Sequence, residues 1–201
     1  MTALAPEDFD DLLDFIRVQV AAGYLSLDEI VNDAVAGLVE ARTDAGLPVS
    51  SAAIHAAATA IADQALAAHR ADQTRWSAAT DCDRLDAAFA ELEGAGIVAR
   101  QHFSCCNTCG SEEIHDELHQ ISASGGSPRG FTFFHAQDTE HAIAGESLYL
   151  SYGSATRDKT ESVAIGHEVM ATLGRHGLVP AWNGKHAHRI ALPVIWQRRR
   201  P

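Results

Sequence analysis

Residues 85–103, LDAAFAELEGAGIVARQHF, mark the point where the sequence changes from helices alone to helices alternating with strands. Apolar residues recur at helical spacing from Leu85 to Leu92, and Gly94 and Gly96 end that pattern. Residues 97–103 follow at once and are largely apolar, which is typical of a short strand. This stretch therefore predicts a helix, a glycine stop and a strand, and it separates two regions of different character.

The region before it predicts helices only. A first-turn proline, Pro6, precedes apolar residues that recur from Phe9 to Val20. Residues 26–29 (SLDE) form a capping box that opens a second helix, and Ser51 begins a third, alanine-rich helix. Residues 1–78 are therefore predicted to be a helical N-terminal region.

The region after it alternates short strands with helices. Residues 97–103, 131–135 and 147–152 read as strands, residues 161–176 as a helix, and Asn183-Gly184 as a turn between two final strands. We therefore predict that residues 79–201 form an α+β domain with a mostly antiparallel sheet covered by helices.

The composition limits the class of partner. The 201 residues are 46% hydrophobic and carry 27 acidic against 15 basic side chains, a net charge of −12. Phosphate binding needs clustered Lys and Arg, so we expect no nucleic-acid partner; the basic run at residues 198–200 is interpreted as a frayed terminus. The N-terminus shows no signal sequence and no membrane span, so we expect no membrane partner and a cytoplasmic location. The sequence identifies neither a partner protein nor a small-molecule substrate.

Three cysteines within five residues form the strongest chemical signal. Cys105, Cys106 and Cys109 lie directly after the strand of residues 97–103. Thiolates at this spacing can bind one metal ion, and zinc is the ion expected for sulfur and histidine ligands. His115 and His119, four apart on a predicted short helix, face the same way and are possible nitrogen ligands.

Two other interpretations use the same residues. Cys106 and Cys109 form a CxxC pair that fits a thiol-disulfide enzyme or redox sensor, with Cys105 as a resolving thiol. Alternatively the cysteines only pack inside the domain, and the acidic helical region is a module that binds a partner protein. We predict that Cys82 is inert rather than a fourth ligand, and the sequence assigns no catalytic residue.

A second group of polar residues follows the predicted strand of residues 131–135. His135 and Asp138 lie at a strand-to-helix junction, where side chains can converge on a pocket. Asp138 is also a typical helix cap, and we favour that role for it. His135 is a possible metal ligand or base.

The segment from Leu85 to Trp196 resembles a family of uncharacterised bacterial proteins known only as a domain of unknown function. The motifs that carry the resemblance are CCxTCG at residues 105–110 and HxQDTE at residues 135–140. The resemblance implies that the site includes Cys105, Cys106, Cys109, His135, Gln137 and Asp138. It does not include His115 or His119, and it therefore favours His135 as the nitrogen ligand.

Overall fold

The computed structural model describes residues 4–201, and within them the chain forms seven helices and one four-stranded sheet. The chain divides into two compact units. The first contains the residues up to Ser77 together with Gln197–Pro201, and the second is Ala78–Trp196. The α+β class and the helical N-terminal region predicted from the sequence are confirmed.

Three helices build the first unit: α1 (Pro6–Ala22), α2 (Leu27–Asp44) and α3 (Ser51–Gln73). The predicted capping box is present, since the Ser26 side chain accepts a hydrogen bond from the Glu29 amide and the Glu29 carboxylate accepts one from the Ser26 amide. The apolar faces of the three helices share one core, which includes Leu12, Ile16, Ile30, Ile54 and Ile61.

The C-terminal basic run is not frayed, and this interpretation from the sequence is wrong. The Arg200 guanidinium donates hydrogen bonds to the carbonyls of Gln19 and Val20 at the end of α1. The Arg198 guanidinium lies 4.4 Å from the centre of the Tyr24 ring. Positive charge is favourable at a helix C-terminus, so the contacts of Arg200 and Arg198 hold the run in place.

The second unit contains four helices and four strands, in the chain order α4 (Asp81–Gly94), β1 (Ile97–Arg100), α5 (Asn107–Ala123), β2 (Gly130–Phe133), α6 (Ala136–Ile143), β3 (Leu148–Ser154), α7 (Lys159–Arg175) and β4 (Ile190–Leu192). The strand order in the sheet is β1-β2-β3-β4. β1 and β2 are parallel, whereas β3 is antiparallel to both β2 and β4. The predicted, mostly antiparallel sheet is therefore present.

Side chains alternate between the two faces of the sheet. Val98 of β1 and Phe131 and Phe133 of β2 pack against Ile114 and Leu118 of α5 on one face. On the other face Gly130 is so close to Ile165 of α7 that a Cβ would lie 2.9 Å from it. The first two strands are therefore covered on both faces.

Several elements have other bounds than predicted. β1 ends at Arg100 rather than at residue 103, and α5 begins at Asn107, so it is longer than the short helix expected near residues 114–121. Of the two strands expected around Asn183-Gly184, only β4 forms, with an isolated bridge between Ala181 and Ala191. The early start of α5 matters most, because it places Cys109 inside a helix.

Candidate metal centre

A short loop carries the chain from β1 to the cysteines. His102 and Ser104 in this loop have φ angles of 51° and 62°, which is left-handed backbone that costs a non-glycine residue about 1–3 kcal/mol. Hydrogen bonds hold the loop, since the Phe103 amide donates to the Phe134 carbonyl (2.8 Å) and the Ala136 amide to the Ser104 carbonyl (3.1 Å). These hydrogen bonds fix the loop that leads from β1 to the cysteines.

Cys106 is the N-cap residue of α5, and Cys109 occupies the third helical position. Cys106 has extended backbone (φ −150°), and its carbonyl accepts the Gly110 amide at 2.9 Å. Its sulfur lies beside the free amides of Thr108 and Cys109 without forming a full capping hydrogen bond. The helix start therefore holds the sulfurs of Cys106 and Cys109 at one end of α5.

The three cysteine sulfurs lie together. All three Sγ atoms are within 4.8 Å of one another, and all three thiols are free. In a tetrahedral zinc site with Zn–S bonds of about 2.3 Å, the sulfurs are about 3.8 Å apart, so a contraction of about 1 Å at most would bring these into place. Cys105 is exposed and the other two are half-buried, so the cluster is accessible from solvent.

The two cysteines of the CxxC pair differ in acidity. The Cys106 pKa is lowered, first by the Cys109 amide and then by the Cys109 thiol, the Thr108 amide and the Cys105 thiol. The Cys109 pKa is raised to about 11 by its hydrogen bonds to the thiols of Cys105 and Cys106 and by their charges. The pKa values of the two thiols are therefore shifted in opposite directions.

Gly110 sets the distance between α5 and the sheet. A Cβ at this position would lie 2.7 Å from Cε2 of Phe133, a ring that is fully buried. The first turn of α5 can therefore approach β2 only with glycine directly after Cys109.

His135 is the N-cap residue of α6. Its Nδ1 accepts the Asp138 amide at 3.2 Å, and its Nε2 lies 3.1 Å from Asp138 Oδ2. Burial lowers the His135 pKa, although the Asp138 charge raises it. With both ring nitrogens facing Asp138, these contacts favour a capping role, and His135 as a metal ligand stays a prediction.

Asp138 pairs with an arginine that sequence reasoning did not select. Arg189 donates from Nη1 to Asp138 Oδ1 (3.0 Å) and from Nη2 to Oδ2 (2.5 Å). Asp138 is buried, and its Oδ2 also accepts the His135 amide. Asp138, which was expected to cap α6, is therefore the N3 residue of a capping box in which His135 is the N-cap. Gln137 lies exposed in the first turn of α6. No sequence signal links Arg189 to Asp138, because they are 51 residues apart.

His115 and His119 lie further along α5. At a rise of about 1.5 Å per residue, they are about 9 Å and 15 Å from Cys109 along the helix axis. The His115 ring packs edge-on against Phe131, with the ring centres 5.3 Å apart, and burial lowers its pKa. His119 is exposed. Within residues 4–201, neither histidine joins the group of ligand atoms that the three cysteines form.

Cys82 lies apart from this cluster. It is 2% exposed and belongs to the buried face of α4, as expected for a cysteine that packs as a small apolar side chain.

The chain belongs to the family described as "Domain of unknown function (DUF6891)", whose model matches residues 5–200. The resemblance seen at residues 85–196 thus extends over almost the whole chain. No curated protein and no solved structure matches it. Among the described residues, none of the helices has both the length and the apolar character needed to cross a bilayer.

Proposed function

We propose that this protein binds one zinc ion through the thiolates of Cys105, Cys106 and Cys109. The observation that carries the proposal is the approach of all three sulfurs to within 4.8 Å of one another. Thiolates are soft ligands that select zinc over magnesium or calcium, and tetrahedral coordination tolerates sulfurs at close to these distances.

The negative charges of the ionised thiols explain why a cation is favourable at this site. The neighbouring thiols oppose ionisation of Cys109 and raise its pKa to about 11. A bound dication reverses that effect, because it neutralises the charges that repel one another and holds all three sulfurs as thiolates.

The ligand count favours a site that takes a further ligand. Three protein ligands come from the cysteines, and among residues 4–201 no histidine, aspartate or glutamate adds a fourth ligand atom to the group. Zinc sites with three protein ligands complete their tetrahedron with water or a substrate, whereas structural sites have four. The exposure of Cys105 agrees with access from solvent.

Metal analysis tests the proposal. Protein without a histidine tag, purified under reducing conditions without chelators, should contain about one zinc per chain. Cobalt substitution should give sulfur-to-metal charge-transfer bands whose intensity falls in Cys105→Ser, Cys106→Ser and Cys109→Ser alike.

Cys82→Ser is the matched control, and it should keep its zinc because Cys82 is buried in α4. Less than about a tenth of an equivalent of metal in the unmodified protein would overturn the proposal. Equal loss of metal in Cys82→Ser would show that the effect comes from general damage to the fold.

The difference in acidity between Cys106 and Cys109 favours a second candidate, a dithiol that exchanges with a protein disulfide. The Cys106 thiolate would attack one sulfur of the partner's disulfide and form a mixed disulfide, releasing the first partner thiol. The Cys109 thiol would then lose its proton to solvent, and its thiolate would attack the Cys106 sulfur of the mixed disulfide. This step releases the partner's second thiol and leaves a Cys106–Cys109 disulfide and a reduced partner.

Either function requires reduced cysteines, which a cytoplasmic location supplies. The cytoplasmic location and the expected absence of a nucleic-acid partner stay predictions.

A further inference from the structure

A groove runs between α1 and α2 in the first unit, well apart in sequence from the cysteines. Its volume is about 200 Å³, and its apolar lining is Leu12 and Phe15 of α1 with Ala34, Gly37, Leu38 and Ala41 of α2. Enclosed sites for small molecules usually measure about 300–1,000 Å³, so this groove suits a row of side chains rather than an enclosed compound.

Three of the residues on the α2 side of the groove, Ala34, Gly37 and Ala41, are small, and they leave it open. A Cβ on Gly37 would meet no atom within 4 Å. Phe15 on the opposite side is 38% exposed, whereas Leu12, Ile16 and Val20 of the same helix are buried in the core. Exposed apolar surface between two helices is typical of a surface that binds another helix.

Acidic side chains border the groove on both sides. Asp11 of α1 and Asp33 of α2 line it directly. Asp14 and Glu40 lie three and seven residues further along the same helices and are exposed. Up to residue 80 the chain has 12 acidic and 4 basic side chains, and Arg42 of α2 is already paired with the buried Asp8.

We propose that this groove binds an amphipathic helix of another protein, with the apolar face of that helix in the groove and lysines or arginines along its two edges. The apolar floor supplies the binding area, and the carboxylates on both rims select for basic residues. The inference is independent of the metal site, because its residues are all on α1 and α2.

The test uses the full chain and a synthetic peptide of leucine and lysine, about five helical turns or 18 residues long, with all its leucines on one face. A fluorescent label on the peptide allows binding to be measured by anisotropy. Gly37→Gln should weaken binding by about tenfold or more, since its side chain fills the groove without changing the net charge. Gly174→Gln on α7 is the matched control, because its Cβ also meets no atom within 4 Å, and it should bind like the unmodified protein.

The charge requirement is tested with a peptide in which glutamate replaces every lysine, which should not bind measurably. If Gly37→Gln bound the peptide as tightly as the unmodified protein, the proposal would be overturned. The binding would then come from the attraction of a basic peptide to an acidic protein and not from the groove. Equal binding of the glutamate peptide would overturn the role of the carboxylates. A concentration-dependent dimer of the free protein that Gly37→Gln dissociates would also overturn it, and would identify a second copy of the chain as the occupant.

Discussion

Cys106 and Cys109 lie at the same end of α5, but their positions shift their pKa values in opposite directions. The sulfur of Cys106, at the N-cap, faces backbone amides that stabilise its charge and lower its pKa. The thiols of Cys105 and Cys106 and their charges instead raise the pKa of Cys109. The spacing of the CxxC pair is visible in the sequence. The direction of each shift is not, because it depends on the residue at which α5 begins.

We predict that Cys106 reacts with iodoacetamide at lower pH than Cys109 in the metal-free, reduced protein. The thiolate is the reactive form, the Cys106 pKa is lowered, and that of Cys109 is raised to about 11. Mass spectrometry of the alkylated peptides across a pH series measures both rates, and buried Cys82 serves as the unreactive reference. If both thiols were alkylated with the same pH profile, the dithiol candidate would lose its support.

The protonation of His135 should make the stability of the protein depend on pH. Burial lowers its pKa, so below its usual pKa of about 6.5 the unfolded chain binds a proton that the folded protein does not. The stability that depends on neutral His135 is therefore complete above that pH and declines as the pH falls towards the lowered value.

His135→Asn should keep the helix cap and remove this decline, because asparagine caps helices well and does not titrate. Thermal unfolding at a series of pH values, compared between the variant and the unmodified protein, measures the difference. Parallel pH profiles for the two proteins would show that His135 is not the residue responsible.

The position of α5 against β2 depends on Gly110. Its neighbour Phe133 is fully buried and packs against Phe103 and Phe131, with ring centres 5.8 Å and 6.0 Å apart, so the ring has little room to move.

We predict that Gly110→Ala destabilises the protein by about 1–3 kcal/mol, the usual cost of overpacking a core. It should also weaken zinc binding, because Cys109 would move with the first turn of α5. Urea unfolding and a zinc competition titration measure the two effects. Gly174→Ala, with open space around its Cβ, should do neither; unchanged zinc affinity in Gly110→Ala would mean that the cluster tolerates the shift.

Sequence patterns predicted elements better than their ends. The helices of the first unit follow clear apolar periodicity, and α2 also has a capping box, so their prediction was correct. The early start of α5 was missed because residues 105–110 carry no apolar periodicity, and cysteine is an uncommon N-cap residue. The role of His135 as a cap was missed for a similar reason, since Asp138 is the commoner cap.

At the scale of the whole molecule, we predict that a fragment of residues 78–196 folds without the N-terminal helices, because it contains the complete sheet and the helices that cover it. Cooperative thermal unfolding and dispersed amide resonances would confirm this. An aggregated or molten fragment would show that the two units form one cooperative structure.

The sequence could not reveal contacts between distant residues. The pairing of Arg189 with the buried Asp138 and the packing of residues 197–201 with the N-terminal helices both join segments that no local pattern connects. These contacts form only when the chain is folded, and a basic run such as residues 198–200 therefore looks like a solvent-exposed end.

The return of residues 197–201 to the first unit has a consequence during synthesis. The ribosome completes α1, α2 and α3 early, but Arg200, which binds the carbonyls of Gln19 and Val20, is made only after the whole second unit. Domains generally fold in the order in which they are synthesised. Here the helical unit begins before the second unit and is completed only after it, and until then the end of α1 lacks its arginine partner.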